Sequence, residues 1–418
     1  MDKFVIEGGR PLYGTVQAES AKNSVLPLLA ASILTEEPVT IHSVPHISDA
    51  KCMVEILRRL GAEVSFRGDS VVIDSANAHS HSIASALTRE LRSSVFMLGS
   101  LLSRFHRAAC AYPGGCDIGL RPIDLHLNAL KRLGVQISER EGFIYCECER
   151  LCGTEIVLDF PSVGATENIL LAAVKAEGRT VIGGAAKEPE IVDLQNFLNA
   201  MGAKVHGAGT DVIEIEGVKE LHGVTYTPIK DRIEAGSFLI ACAVCGGEIE
   251  VIGVKADMLA LLLHKLRENG CKIHVKNDKI KISSSGALKC NRRIETMPFP
   301  GFPTDLQAQM AALNAGGEGG ALIVENLFET RFKYVPELLK MGADIEVRGR
   351  SAFVRGVKRL HGASILCGDL RGGAALVLAA LGAEGTSEVL DLSHVDRGYA
   401  DLEEKLTRLG ASIKRVRI

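Results

Sequence analysis

The sequence contains no tryptophan, few aromatic residues of any kind, and no surplus of either charge. Its 48 Lys and Arg nearly balance its 51 Asp and Glu, leaving a formal net charge of −3. A nucleic-acid binder usually carries a broad basic excess to neutralise phosphates, so that class is excluded. An anionic ligand would have to be held by a few clustered Lys and Arg. Long hydrophobic runs are also missing. Stretches such as FLIACAVC (238–245) and AALVLAALGA (374–383) fall short of the ~18 residues that span a bilayer, and they read as buried helices. The N-terminal MDKFVIEGGR has an acid at position 2 and no apolar core, so no secretory signal and a cytoplasmic location are expected.

Nucleotide hydrolysis, zinc proteolysis and serine hydrolysis lose support, because G-x-x-x-x-G-K-[ST], H-E-x-x-H and G-x-S-x-G are absent. Eleven cysteines are an odd number, and without a secretory signal they read as reduced thiols. Cys242 and Cys245 form a CxxC inside an apolar helical run, with no second pair at zinc-finger spacing, so core packing is the expectation. Cys146, Cys148 and Cys152 read as strand and edge positions.

With 418 residues and 46% hydrophobic content, the chain is expected to form two or three globular domains. Within that length one pattern, L-x-x-[LMN]-G-x-x-[VI], occurs six times, at intervals of 68–73 residues. Its glycines are Gly61, Gly134, Gly202, Gly270, Gly342 and Gly410, each preceded four residues earlier by a leucine. The spacing predicts an amphipathic helix, a left-handed glycine that ends it, and then a strand. Each repeat also carries a second helix of small apolar residues: 26–34, 93–102, 165–174, 234–244, 305–313 and 372–381. Helices apolar on every side are buried. The expected fold class is therefore α/β, as two globules of three repeats with buried helices inside and strands outside. A solenoid is the weaker reading, because its repeats are typically about 20–50 residues long.

Polar residues gather at the starts of the buried helices: Lys22 and Asn23, Arg92, Ser162 to Thr166, Arg232, Asp305 and Arg371. Taken one at a time they are ordinary caps. Six together predict a cleft in which free N–H groups and helix dipoles favour an anion. Between two helices lies AYPGGCDIGLRP (111–122), rich in Gly and Pro and expected to act as a lid. It carries Cys116 and Arg121, and a thiol beside cations is the setting for thiolate reactivity.

These segments form a recognisable set: AKN (21–23), RSSV (92–95), PGGCDIGLRPIDLH (113–126), FPSVGATE (160–167), EPEIVD (188–193), PTDLQAQ (303–309), and Arg331, Arg371 and Arg397. Over essentially the whole chain the sequence resembles the UDP-N-acetylglucosamine 1-carboxyvinyltransferases (UDP-N-acetylglucosamine enolpyruvyl transferases) of the enolpyruvyl transferase family. The resemblance implies a two-domain inside-out α/β barrel. One domain would span 22–229 and carry the Cys116 loop; the other would join 1–21 to 230–418, with the active site in the cleft between them. The implied reaction transfers the enolpyruvyl group of phosphoenolpyruvate to the 3′-hydroxyl of UDP-N-acetylglucosamine and releases phosphate, the committed step of peptidoglycan synthesis. It needs no cofactor and no metal, and the implied partners are small-molecule substrates, with neither nucleic acid nor membrane insertion.

By the same resemblance, Cys116 is the general acid, the site of a phosphoenolpyruvate adduct and the target of the phosphonate epoxide fosfomycin. Asp305 faces the sugar hydroxyl as base or as orienting contact, and Lys22 and Arg397 complete the catalytic set. Phosphoenolpyruvate would be bound by Lys22, Asn23, Arg121, Arg331, Arg371 and Arg397, the last two on its carboxylate. The nucleotide sugar would lie along Asn23, Arg92, Arg121, Pro122, Ile123, Asp124, Leu125, Ser162, Val163, Gly164, Asp305 and Leu327. Phe160 and Ser20 depart from residues common in the family (Lys and Gly), and neither touches the implied chemistry. The rivals are the sister 5-enolpyruvylshikimate-3-phosphate synthases, which lack the cysteine loop, and a silent UDP-sugar sensor, which need not retain an acid and a base.

Overall fold

The six glycine-centred repeats each become a helix, a reversal and a strand. A computed structural model describes residues 2–113 and 123–417. The outer helices are Ser48–Arg59, Asp124–Arg132, Pro189–Ala200, Ala260–Glu268, Val335–Lys340 and Leu402–Arg408. Each stops two residues before its glycine, and the six glycines have φ between +87° and +102°. The amide after each glycine then donates to the carbonyl of the repeat leucine: Ala62 to Leu57, Val135 to Leu130, Ala203 to Leu198, Cys271 to Leu266, Ala343 to Leu338 and Ala411 to Leu406, at 3.0–3.2 Å. That 6→1 bond closes a Schellman motif, which needs a left-handed residue at the glycine. All six leucines are fully buried, and a strand begins two residues beyond each glycine.

The second helix of each repeat forms the interior. These helices are Lys22–Ala31, Met97–Phe105, Val163–Ala173, Arg232–Cys245, Gln307–Ala315 and Leu370–Gly382, and nearly every residue in them is buried. Small residues let them approach closely. A Cβ on Gly99 would stand 2.3 Å from the Asn168 carbonyl oxygen, so the helices Met97–Phe105 and Val163–Ala173 meet there backbone to backbone. Two interior helices open with a 3₁₀ turn, Arg92–Phe96 and Thr304–Leu306. Those turns carry Arg92 and Asp305. The sequence reading also missed a short helix, Ser85–Glu90.

The strands make six sheets among the described residues. In five of them three antiparallel strands gain a parallel edge strand, as when Val39–Ile41, Ser70–Asp74 and Glu63–Arg67 are joined by Thr225–Tyr226. In the sixth, a parallel bridge between Ser82 and Ala109 stands in the edge strand's place. Within 155–160 only Glu155–Val157 forms a strand, pairing parallel to Arg179–Gly183.

The chain divides into two compact units, one of residues 2–19 and 230–417, the other of 20–113 and 123–229. The N-terminal segment joins the later repeats through its strands. Asp2–Glu7 lies between Thr386–Leu390 and Ser412–Arg417, and Leu12–Gln17 runs parallel to Gly247–Ile252. At the two crossings, Ala21 N–H donates to the Ile229 carbonyl and Asp231 N–H to that of Glu19. No helix of the described residues is long and apolar enough to cross a membrane. The mixed helix and strand content and the six sheets are those of an α/β fold.

Candidate active site

In the unit of residues 230–417, Asp305 sits on the 3₁₀ turn Thr304–Leu306 and is held by two arginines. Arg331 Nη2 donates to Asp305 Oδ1 at 2.8 Å, and Arg371 Nη2 donates to Oδ2 at 3.1 Å. Both arginines are buried, 2% and 4% exposed, while Asp305 stays partly open to solvent. Burial alone would loosen the Arg371 proton. Asp305, then Tyr399 and Asp231, outweigh it and raise the pKa above the ordinary guanidinium value. Arg371 therefore remains a cation in the interior. Among the described residues, Arg331 Nε and Arg371 Nη1 are buried donors without a hydrogen-bond partner. Unspent guanidinium N–H groups in a low-dielectric setting are costly to leave unmade and are suited to a carboxylate or phosphate.

Arg331 is braced by the Phe328 ring, 5.6 Å from its guanidinium carbon, and by the Thr304 carbonyl at 3.2 Å. Arg371 stands 5.5 Å from the centre of the Tyr399 ring. The Tyr399 hydroxyl is fixed in turn by Ser237 Oγ at 2.8 Å and Gln309 Nε2 at 3.2 Å. Arg397 ends the 3₁₀ turn Val395–Arg397, which packs on the helix of Arg371 two residues before Tyr399. Leu327 is half-buried, its N–H donating to Glu325 Oε1 at 2.9 Å.

At three of the six interior helix starts the first N–H groups are taken up by side-chain caps. Asp231 Oδ1 accepts from Ile233 N and Glu234 N, and Asp369 Oδ1 accepts from Arg371 N and Gly372 N. Ser162 Oγ likewise accepts from Ala165 N. Side-chain caps occupy these amides, whereas among the described residues the starts at Lys22, Arg92 and Thr304 carry no side-chain cap.

In the other unit, Lys22 opens an interior helix and pairs with Asp49 at 2.6 Å; both are buried. Asn23 beside it is half-buried. Ser24 Oγ donates to Asp193, which also accepts from the Tyr226 hydroxyl at 2.6 Å and from Ile229 N at 3.2 Å. The start of that helix is thus anchored on the outer helix Pro189–Ala200. Arg92 Nη1 donates to the Pro113 carbonyl at 3.4 Å.

Ile123 is buried just before the helix Asp124–Arg132, Asp124 is exposed, and Leu125 is half-buried. Leu125 also lines a cleft of about 490 Å³ with Arg132 and residues 155–159. Ser162, Val163 and Gly164 begin the helix Val163–Ala173. A Cβ on Gly164 would lie 3.1 Å from the His126 ring and 3.2 Å from that of Phe96, so this backbone rests on two rings.

Asn168 takes the Gly99 N–H on its oxygen, so its amide nitrogen donates to His126 Nδ1 at 3.2 Å. That places the proton of a neutral His126 on Nε2. Glu167 is fully buried, and its Oε2 has no partner among the described residues; burial, then Glu190 and Glu188, raises its pKa well above the ordinary carboxylate value.

Cys116, Arg121 and Pro122 lie outside the described residues. The structure brings Asp305, Arg331 and Arg371 into contact, and in the other unit it pairs Lys22 with Asp49. Sequence reasoning did not single out His126, Asp193, Glu325 or Tyr399. His126 and Asp193 each stand only as the last residue of a quoted motif, PGGCDIGLRPIDLH and EPEIVD.

Known proteins share this architecture. The family model for EPSP synthase (3-phosphoshikimate 1-carboxyvinyltransferase) matches residues 6–406. UDP-N-acetylglucosamine 1-carboxyvinyltransferase 2 of Caldanaerobacter subterraneus subsp. tengcongensis is 52% identical over 416 residues, covering 100% of both chains. The like-named protein of Carboxydothermus hydrogenoformans is 50% identical over 418 residues, again covering 100% of both. Among solved structures, the enolpyruvyl transferase NikO from Streptomyces tendae superposes with a TM-score of 0.88 at 26% identity, covering 99% of each chain. An EPSP synthase from Acinetobacter baumannii, 18% identical over 100% of each chain, shares the fold with a TM-score of 0.73. The chain belongs to the enolpyruvyl transferase family, and within it to the UDP-N-acetylglucosamine 1-carboxyvinyltransferases. It is a transferase.

Proposed function

We propose that the protein transfers the enolpyruvyl group of phosphoenolpyruvate to the 3′-hydroxyl of UDP-N-acetylglucosamine, releasing phosphate, and that it does so in the cytoplasm as the committed step of peptidoglycan synthesis. The observation that carries this reading is the Arg331–Asp305–Arg371 cluster. It holds a partly exposed carboxylate between two buried guanidinium groups, of which Arg331 Nε and Arg371 Nη1 have no hydrogen-bond partner among the described residues. The acceptor follows from the relatives about 50% identical over the full length.

In the addition, an acid delivers a proton to the methylene carbon while the sugar oxygen attacks the adjacent carbon and gives its own proton to a base. In the elimination, the former methylene carbon loses a proton and phosphate leaves, which regenerates the vinyl group. Two poised groups serve both halves. Cys116 is assigned the acid's part, and Asp305 that of base or orienting contact at the hydroxyl. Lys22, Arg121 and Arg397 are assigned to the phosphate, and Arg371 with Arg397 to the carboxylate, where bidentate geometry suits guanidinium. Asn23 and Arg331 complete that set. The nucleotide sugar is assigned to Asn23, Arg92, residues 121–125, Ser162–Gly164, Asp305 and Leu327. The residues of one substrate thus come from both units, which we equate with the two three-repeat domains.

Phosphate release tests the reading. It should require UDP-N-acetylglucosamine, persist in a chelator, and fail with shikimate 3-phosphate as acceptor. Equal release with shikimate 3-phosphate, or none with the nucleotide sugar, would overturn it.

A further inference from the structure

Glu325 follows the strand Gly320–Val324 and is completely buried. Its carboxylate gathers three stretches of chain. Oε1 accepts from Thr296 Oγ1 at 2.9 Å, Leu327 N at 2.9 Å and Phe328 N at 3.1 Å, while Oε2 accepts from Thr304 Oγ1 at 2.9 Å. Thr304 begins the turn that carries Asp305, and its carbonyl also holds Arg331. Phe328 is the ring that braces the same guanidinium. Both partners of the Asp305–Arg331 ion pair are therefore tethered, one bond away, to a single buried carboxylate. Leu327, which the proposed function places on the nucleotide sugar, is tethered to it directly.

We infer that Glu325 is a positioning residue for the transfer reaction, setting the Asp305 carboxylate and the Arg331 guanidinium against the reacting atoms without touching substrate. The inference rests on the function proposed above. Its physical basis is that a charged acceptor makes stronger hydrogen bonds than a neutral one, and a buried acceptor has no water to compete for its donors. Asp305 lies on a 3₁₀ turn rather than in a regular helix, so its own backbone ladder fixes it less firmly. An amide at position 325 can keep its oxygen on Leu327, Phe328 and Thr296, and the Thr304 hydroxyl can rotate to accept from the amide nitrogen. An alanine loses all four bonds.

Three variants separate positioning from folding. Thr304→Val cuts only the Oε2 tether and leaves the other three bonds, so it should fold with an unchanged melting temperature. Its kcat should fall about tenfold or more, since a displacement on the order of 1 Å can cost 10²-fold. The KM for UDP-N-acetylglucosamine should change by a smaller factor than kcat, because Asp305 is one of many residues assigned to that substrate and the Leu327 tether stays uncut. Glu325→Gln should retain kcat within about threefold, and Glu325→Ala should lose more than Thr304→Val. A folded Thr304→Val with wild-type kcat would overturn the inference, as would equal losses for Glu325→Gln and Glu325→Ala. If the wild-type protein itself releases no phosphate with the nucleotide sugar, the proposed function has failed and not this inference. A crystal structure of Thr304→Val then decides: a broken Asp305–Arg331 contact supports positioning by Glu325, and an unmoved one contradicts it.

Discussion

Replacing Asp305 by alanine removes the group assigned to the sugar hydroxyl and also strips the carboxylate from two buried guanidinium groups. Turnover should fall by about 10²–10⁴, the usual worth of a positioned acid or base. From the sequence alone, phosphoenolpyruvate binding is expected to stay largely intact. The two ion pairs to arginines assigned to that substrate lead instead to the prediction that its KM moves as well. Steady-state kinetics checks both, and a loss of less than a few-fold would remove Asp305 from the machinery.

A second test at this scale concerns the thiols. Burial pushes Cys110, Cys146, Cys242, Cys245 and Cys367 up to about 12 and Cys271 up to about 11. Thiols so held are almost entirely protonated at neutral pH and react slowly. Burial raises Cys148 and Cys290 as well, and the family resemblance assigns the reactive thiol to Cys116. A phosphonate epoxide such as fosfomycin should label one site per chain, Cys116, and Cys116→Asp should resist it while remaining active. Peptide mapping that finds the label on Cys110 or Cys242 would show that the reactive thiol lies elsewhere.

Helices, turns and strands were the most legible part of the chain. A leucine, a glycine and a β-branched residue at fixed offsets define a Schellman-capped helix followed by a strand, and six copies of the pattern made the reading secure. The motif also supports a graded prediction. Gly270 and Gly61 share a φ of +100°. A Cβ at Gly270 meets nothing within 4 Å, whereas one at Gly61 would stand 2.6 Å from His79 Nδ1 and 3.0 Å from the Asn77 carbonyl oxygen. Gly270→Ala should cost about 1–2 kcal/mol from backbone conformation alone, and Gly61→Ala distinctly more. Denaturation midpoints measure the difference, and equal losses would contradict the packing at Gly61.

What escaped the sequence at this scale has a common cause. The 3₁₀ openings at Arg92 and Thr304 and the caps at Asp231 and Asp369 depend on a single turn's geometry, which composition does not encode. Glu325 escaped because its partners Thr296 and Thr304 stand 29 and 21 residues away. Only the folded chain brings them together.

At the scale of the whole molecule, the repeats place three glycine-capped helices in each unit, and the N-terminal strands Asp2–Glu7 and Leu12–Gln17 join the later repeats. That excursion left no local signal in the sequence, because strand pairing across some 400 residues has none; it came from the family resemblance. The assignment of substrate residues came from the same source and rests on motifs from both units. The central claim is the transfer itself, and proton NMR of the reaction in D₂O tests it most directly. The account predicts a carboxyvinyl group on the 3′-oxygen of UDP-N-acetylglucosamine, with deuterium in its methylene from the addition and elimination steps. An unchanged nucleotide sugar, or a carboxyvinyl group found instead on shikimate 3-phosphate, would contradict it.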